Sequence, residues 1–74
     1  MTNEATKLNI LGHNIQKARK NKGFSQNKLA EILDISREHL AKLETGKRRI
    51  SLKLLFELAQ ILEVTEAELL NFTK

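Results

Sequence analysis

Between Phe24 and Glu44 the chain reads FSQNKLAEILDISREHLAKLE, and few folds accommodate that stretch. Leu29, Ala30 and Leu33 recur at the spacing of one helical face, and Leu40 and Leu43 do so again after Asp34-Ile35-Ser36. A serine precedes each run, Ser25 and then Ser36, and its side-chain oxygen suits a helix N-cap. The spacing predicts helices over 26–33 and 37–44, joined by a corner too short for anything but a sharp turn. Ala30 is small where the two helices would cross most closely, and a larger side chain there would push them apart. Asp34 tolerates left-handed backbone better than most non-glycine residues, and Ile35 can plug the core beneath the turn.

The rest of the chain continues in the same idiom. Leu8, Leu11, Ile15 and Ala18 predict a helix over about 7–21, stopped by Gly23, with residues 1–7 a frayed polar tail. Ser51 and Thr65 cap two further runs, about 52–62 and 66–71, and Glu68 completes a capping box with Thr65. No strand pattern, internal repeat or low-complexity segment interrupts them. The fold class expected is all-α, a compact five-helix bundle forming one domain over residues 8–72. Leu52, Leu54, Leu55, Phe56, Leu58, Ala59, Ile61 and Leu62 cover an arc of roughly 220°, wider than the stripe of an ordinary surface helix. Either that helix is central, or one edge of it meets a second subunit; the two are compatible.

Composition narrows the function. The chain has 74 residues, no cysteine and no proline, so disulfides and thiolate metal sites are out and a deep catalytic cleft is not expected. No apolar run approaches the roughly 18–20 residues of a membrane span, and MTNEATK lacks a signal-peptide core, so no membrane and a cytoplasmic location are expected. Residues 1–50 carry eleven Lys/Arg against five acids, and residues 51–74 two against four. A basic front and acidic rear suit a polyanionic partner on one side, although an ordinary solvated surface reads the same way.

The 37–44 helix turns Leu40 and Leu43 inward and presents Arg37, Glu38, Ala41, Lys42 and Thr45 outward, with His39 towards the boundary. A helix in the DNA major groove needs such a face: Arg and Lys donate to guanine, a carboxylate accepts from cytosine, and alanine permits close approach to a thymine methyl. A merely solvated helix would look similar in isolation. Its flanks strengthen the reading. Ser25-Gln26-Asn27 opens the preceding helix, where free amides favour a phosphate, and Gly46-Lys47-Arg48-Arg49 puts three cations after a flexible residue.

Leu11-Gly12, Ile15, Arg19 and Gly23, then SQNKLAEILDIS, Leu40, LETGKRRIS and LFELAQILEVT with Leu69-Leu70, together resemble the lambda-repressor-like, or Cro-type, helix-turn-helix regulators. The resemblance spans about residues 8–72 and implies a motif over 26–45, with recognition helix 37–44 in the major groove of double-stranded DNA. It implies base reading by Arg37, Glu38 and Lys42, and Ala41, small on the same face, is expected to meet a base beside them. Phosphate contacts are implied at Gln26, Thr45, Lys47, Arg48 and Arg49, with Ser25 and Asn27 expected beside Gln26 from the free amides of the helix start, and the resemblance implies a charged pair Arg19–Glu44 tying the first helix to the third. Asp34 and Glu63 stand where that family commonly has glycine, and Ile50 where it often has proline.

A homodimer on a palindromic operator is expected, its interface near the last two helices at Phe56, Ile61, Leu69 and Phe72. The alternative is an antitoxin-like or other protein-interaction module using the same apolar surface for a protein partner. His13 and His39 have no partners at metal-ligand spacing, and the serines serve as caps rather than nucleophiles. No metal, no cofactor and no enzymatic activity are expected.

Overall fold

The computed structural model describes residues 3–73, and Asn3 sets where the bundle begins. Its side-chain oxygen accepts the Thr6 amide at 2.9 Å from an extended backbone, and α1 runs from there as Glu4–Lys22. The expected start near residue 7 is thereby corrected by about a turn. Asparagine caps as well as serine does, and Glu4 complements the positive end of the helix dipole, so residues 4–7 of the supposed tail are helical. Met1 and Thr2, assigned to the same tail, lie outside the described residues. Next come α2 (Gln26–Leu33), α3 (Arg37–Glu44) and α4 (Leu52–Leu62), with the bounds the caps predict. The last helix, α5 (Glu66–Leu69), ends before residue 71 because the backbone leaves helical geometry at Leu70.

One local device starts all four helices after α1. Ser25, Ser36, Ser51 and Thr65 accept the amides of Lys28, His39, Leu54 and Glu68 at 2.9–3.1 Å. The residue before each cap, Phe24, Ile35, Ile50 or Val64, is half-buried against the core. The fourth residue after each, Leu29, Leu40, Leu55 or Leu69, is no more than 3% exposed. This is the hydrophobic staple, in which apolar residues on either side of a cap fix the angle at which the chain enters the helix. Helix ends are equally regular. Gly23, Asp34 and Glu63 adopt φ of 85°, 58° and 57°. The following amides of Phe24, Ile35 and Val64 then reach back to the carbonyls of Arg19, Ala30 and Ala59 at 3.0–3.1 Å.

With the corners set, the apolar faces meet in one core of leucine, isoleucine and alanine in which Ile15, Leu29, Leu40, Leu58 and Leu69 are almost wholly buried. Each such side chain contributes about 1.5–3 kcal/mol on leaving water. α1 lies directly on the end of α3. A Cβ on Gly12 would stand 2.5 Å from the carbonyl oxygens of both Leu43 and Glu44, so only glycine permits this approach. α5, too short to hold itself, is fastened by Asn14, whose amide donates to the carbonyls of Leu69 at 2.9 Å and Asn71 at 3.1 Å.

α4 resolves the question of its wide apolar arc. Leu54, Leu55, Leu58, Ala59 and Leu62 are buried, while Leu52 and Phe56, one turn apart, are 68% and 53% exposed. The helix is both central and open along one edge. No helix among the described residues is long and apolar enough to cross a membrane.

Candidate nucleic-acid interface

Everything on the candidate surface hangs on how α3 is held. The Glu44 carboxylate, at its C-terminal end, accepts Arg19 Nε at 2.6 Å and Arg19 Nη2 at 3.2 Å, and it also accepts Gln26 Nε2 at 3.0 Å. Arg19 completes its fork by donating Nη1 to the Phe24 carbonyl at 2.8 Å. The side chains of Arg19 and Glu44 are 8% and 1% exposed, so this is an interior ion pair, and none of its buried nitrogens or oxygens lacks a hydrogen-bond partner, the condition under which such pairs hold. It joins α1, the first residue of α2 and the last residue of α3, and it fixes α3 against the rest of the bundle.

Held in that way, α3 turns Leu40 and Leu43 into the core and leaves Arg37, Glu38 and Lys42 exposed, with Ala41 half-buried between them. Arg37, Glu38 and Lys42 form no ion pair among the described residues, so these charges are free to meet a ligand. His39 sits half-buried at the edge of this face. Its pKa is lowered by burial first, then by the cations of Arg48 and Lys42, so the imidazole is neutral at pH 7. Arg48, in the loop after α3, thus lies close enough to this helix for its charge to act on His39.

The flanks have more structure than a list of polar residues suggests. Ser25 spends an oxygen lone pair on the Lys28 amide, which leaves its O–H as a donor and the amides of Gln26 and Asn27 without helical acceptors. Gln26 is steered by Glu44 but keeps a second amide hydrogen. Asn27, Lys47 and Arg48 are exposed. Thr45 and Arg49 differ from the simple expectation of free phosphate ligands. The Thr45 hydroxyl donates to the Ala41 carbonyl at 2.9 Å, and Arg49 is forked onto both carboxylate oxygens of Glu4.

On the far side, the residues expected to form one subunit interface separate. Leu69 is 1% exposed and belongs to the core, so it offers no surface to a second chain; that assignment is corrected. The signal was in the sequence, since Leu69 stands four residues after the Thr65 cap, where the staple demands a buried side chain. Phe56 is exposed, whereas Ile61 and Phe72 are half-buried against the core. At 100° per residue Phe56 and Ile61 lie about 140° apart, on opposite edges of the buried stripe of α4. Sequence reasoning missed Leu52, the most exposed large apolar residue among the described residues, because periodicity gives the width of an apolar arc but not its uncovered edge.

These features have counterparts in known proteins. A helix-turn-helix family model matches residues 15–69. The chain is 39% identical over 64 residues to the SPbeta prophage-derived uncharacterized HTH-type transcriptional regulator YonR of Bacillus subtilis, an alignment covering 86% of this chain and 59% of that protein. It thus spans somewhat over half the length of that relative. To the uncharacterized HTH-type transcriptional regulator y4dJ of Sinorhizobium fredii it is 34% identical, over 86% of this chain and 83% of that one. Among solved structures, it resembles the restriction-modification controller protein C.AhdI of Aeromonas hydrophila, with a TM-score of 0.77 and 32% identity over 84% of this chain and 94% of that one. The clp gene regulator ClgR of Corynebacterium glutamicum gives a TM-score of 0.81 and 30% identity over 86% of this chain and 68% of that one. With its lambda-repressor-like fold, the chain belongs to the helix-turn-helix family of DNA-binding transcriptional regulators.

Proposed function

We propose that the protein is a sequence-specific regulator that acts as a homodimer on a palindromic operator, with α3 in the major groove. The observation that carries this reading is the exposed, unpaired Arg37, Glu38 and Lys42 face, held rigidly by the buried Arg19–Glu44 pair. In this reading Arg37, Glu38, Ala41 and Lys42 read base edges. Ser25, Gln26 and Asn27 take a phosphate on one side of the helix, and Lys47 and Arg48 take one on the other, with Thr45 and Arg49 joining once their internal contacts exchange. Glu38 repels phosphates, which makes a mismatched site costlier than a smooth cationic face would.

A domain of this size makes few contacts, so two copies on one operator are the natural route to useful affinity. We assign the dimer face to the open edge of α4, centred on Phe56 and Leu52; Ile61, on the opposite edge of that helix, falls outside it. Recognition helices about 34–36 Å apart would match adjacent major grooves.

Selection from a randomised duplex pool at two salt concentrations tests both parts. Enrichment of a palindrome with half-sites about one helical turn apart is expected. Weak, salt-sensitive binding without enrichment would refute sequence reading. Sedimentation that shows only monomer at high micromolar concentration would remove the dimer and turn the search to a different protein partner for Leu52 and Phe56.

A further inference from the structure

The loop after α3 carries three consecutive cations, but they are not equivalent. Lys47 and Arg48 are in no ion pair among the described residues, whereas Arg49 gives its Nε and Nη2 to the two carboxylate oxygens of Glu4, the second bond at 3.0 Å. This pair reaches across 45 residues from the loop to the first turn of α1. The loop is also pinned to α1 at its root. Gly46 has φ 74°, and a Cβ there would stand 2.8 Å from the Asn9 backbone, so the loop leaves α3 already in contact with α1. Both partners are exposed, with side-chain accessibilities of 79% and 58%, so a competing anion can reach the guanidinium. The hydrogen bond that Arg49 donates to Glu4 is also the main reason the Arg49 cation is held more tightly protonated than usual.

Resting on the reading of this surface as a DNA interface, we propose that Glu4 is a specificity-determining residue that withholds Arg49 from non-specific duplex DNA. A random duplex, met in many orientations, engages the loop through Lys47 and Arg48 alone. An operator that holds the protein in one orientation keeps a phosphate beside Arg49 long enough for it to displace the carboxylate. Glu4 therefore widens the gap between specific and non-specific affinity by suppressing the latter.

The test is the salt dependence of binding to a random-sequence duplex for wild type, Glu4→Gln, Arg49→Gln and the double variant, each checked for helical content by circular dichroism. Releasing Arg49 to one more phosphate should steepen the log–log salt slope of Glu4→Gln by about 0.9, which is roughly eightfold tighter binding at 0.1 M if the curves meet at 1 M. Arg49→Gln should keep the wild-type slope, and the double variant should match it. An unchanged slope in Glu4→Gln overturns the proposal. So does an equal gain in the Arg49→Gln background, which would make Glu4 a plain repelling charge. Wild type that binds no duplex at any salt would sink the DNA reading itself, and this inference with it.

Discussion

Replacing Glu44 by leucine would remove a side chain through which α3 is hydrogen-bonded to both α1 and α2. Its carboxylate accepts three hydrogen bonds, two from Arg19 and one from Gln26, and is 1% exposed. Hydrogen bonds to a charged group contribute about 1.5–3 kcal/mol each, but the loss is offset by the carboxylate's own desolvation and by relaxation around Arg19. What remains is dominated by the guanidinium left behind. It would stay 8% exposed with only the Phe24 carbonyl at 2.8 Å, and a stranded buried charge costs about 3–5 kcal/mol. A domain of 74 residues has roughly 4–11 kcal/mol in total, so Glu44→Leu should lose about a quarter or more of its stability. Arg19→Met should be similarly harmful, because it strands the carboxylate. The double variant Arg19→Met/Glu44→Leu removes both charges and should recover most of the loss. Urea denaturation followed by circular dichroism gives the four free energies of the cycle. Single variants that each cost under about 1 kcal/mol, as an exposed pair would, or whose losses simply add in the double variant, would refute the view that this pair organises the site.

Four further outcomes are expected. Gly12→Ala should destabilise by about 1–3 kcal/mol, since its Cβ would meet the Leu43 and Glu44 carbonyls at 2.5 Å and force α1 off α3; a loss within error in thermal melts would contradict that contact. Glu63→Gly should stabilise by about 0.5–1 kcal/mol, the relief of a left-handed glutamate at φ 57° exceeding the entropy gained by the unfolded chain, and a lowered melting temperature would count against it. His39 titrates below its ordinary value in the folded protein, so it binds fewer protons than the unfolded chain near pH 6. Its contribution is present above about pH 6.5 and is lost as pH falls through the folded-state pKa, so His39→Gln should flatten the stability profile on the acid side. If phosphates neutralise Arg48 and Lys42, two of the three causes of that shift weaken, and an NMR titration should find the His39 pKa higher with DNA bound than without.

What could be read from the sequence was whatever depends on neighbours. Helices α2, α3 and α4 came out with correct bounds because Ser25, Ser36 and Ser51 act on amides three residues away, and the outward chemistry of α3 followed from the inward placing of Leu40 and Leu43. Asn3 and Leu69 were legible by the same rules and were misjudged, the first as tail and the second as surface. The long-range contacts were of another kind. Arg19–Glu44 entered through family resemblance rather than spacing. Gln26 on Glu44 and Arg49 on Glu4 are separated by 18 and 45 residues, and nothing local selects one carboxylate over another until the helices have packed. The open edge of α4 was hidden for the same reason, since exposure depends on what other elements leave uncovered.

The cap-and-staple corners also divide the sequence into positions the architecture needs and positions it ignores. At the α3 corner the side-chain demands fall on the residue before the cap, the cap itself and the leucine four places on, and the three residues between make no side-chain hydrogen bond or ion pair among the described residues. In α3 those three are Arg37, Glu38 and His39, so the side chains that start the candidate reading face have little to do with building the helix that carries them. Their chemistry can drift while the corner stays intact. A scaffold with that separation can acquire a new binding preference through single substitutions at little cost in stability, and the constraint on its diversification shifts from folding to the DNA it must leave unbound.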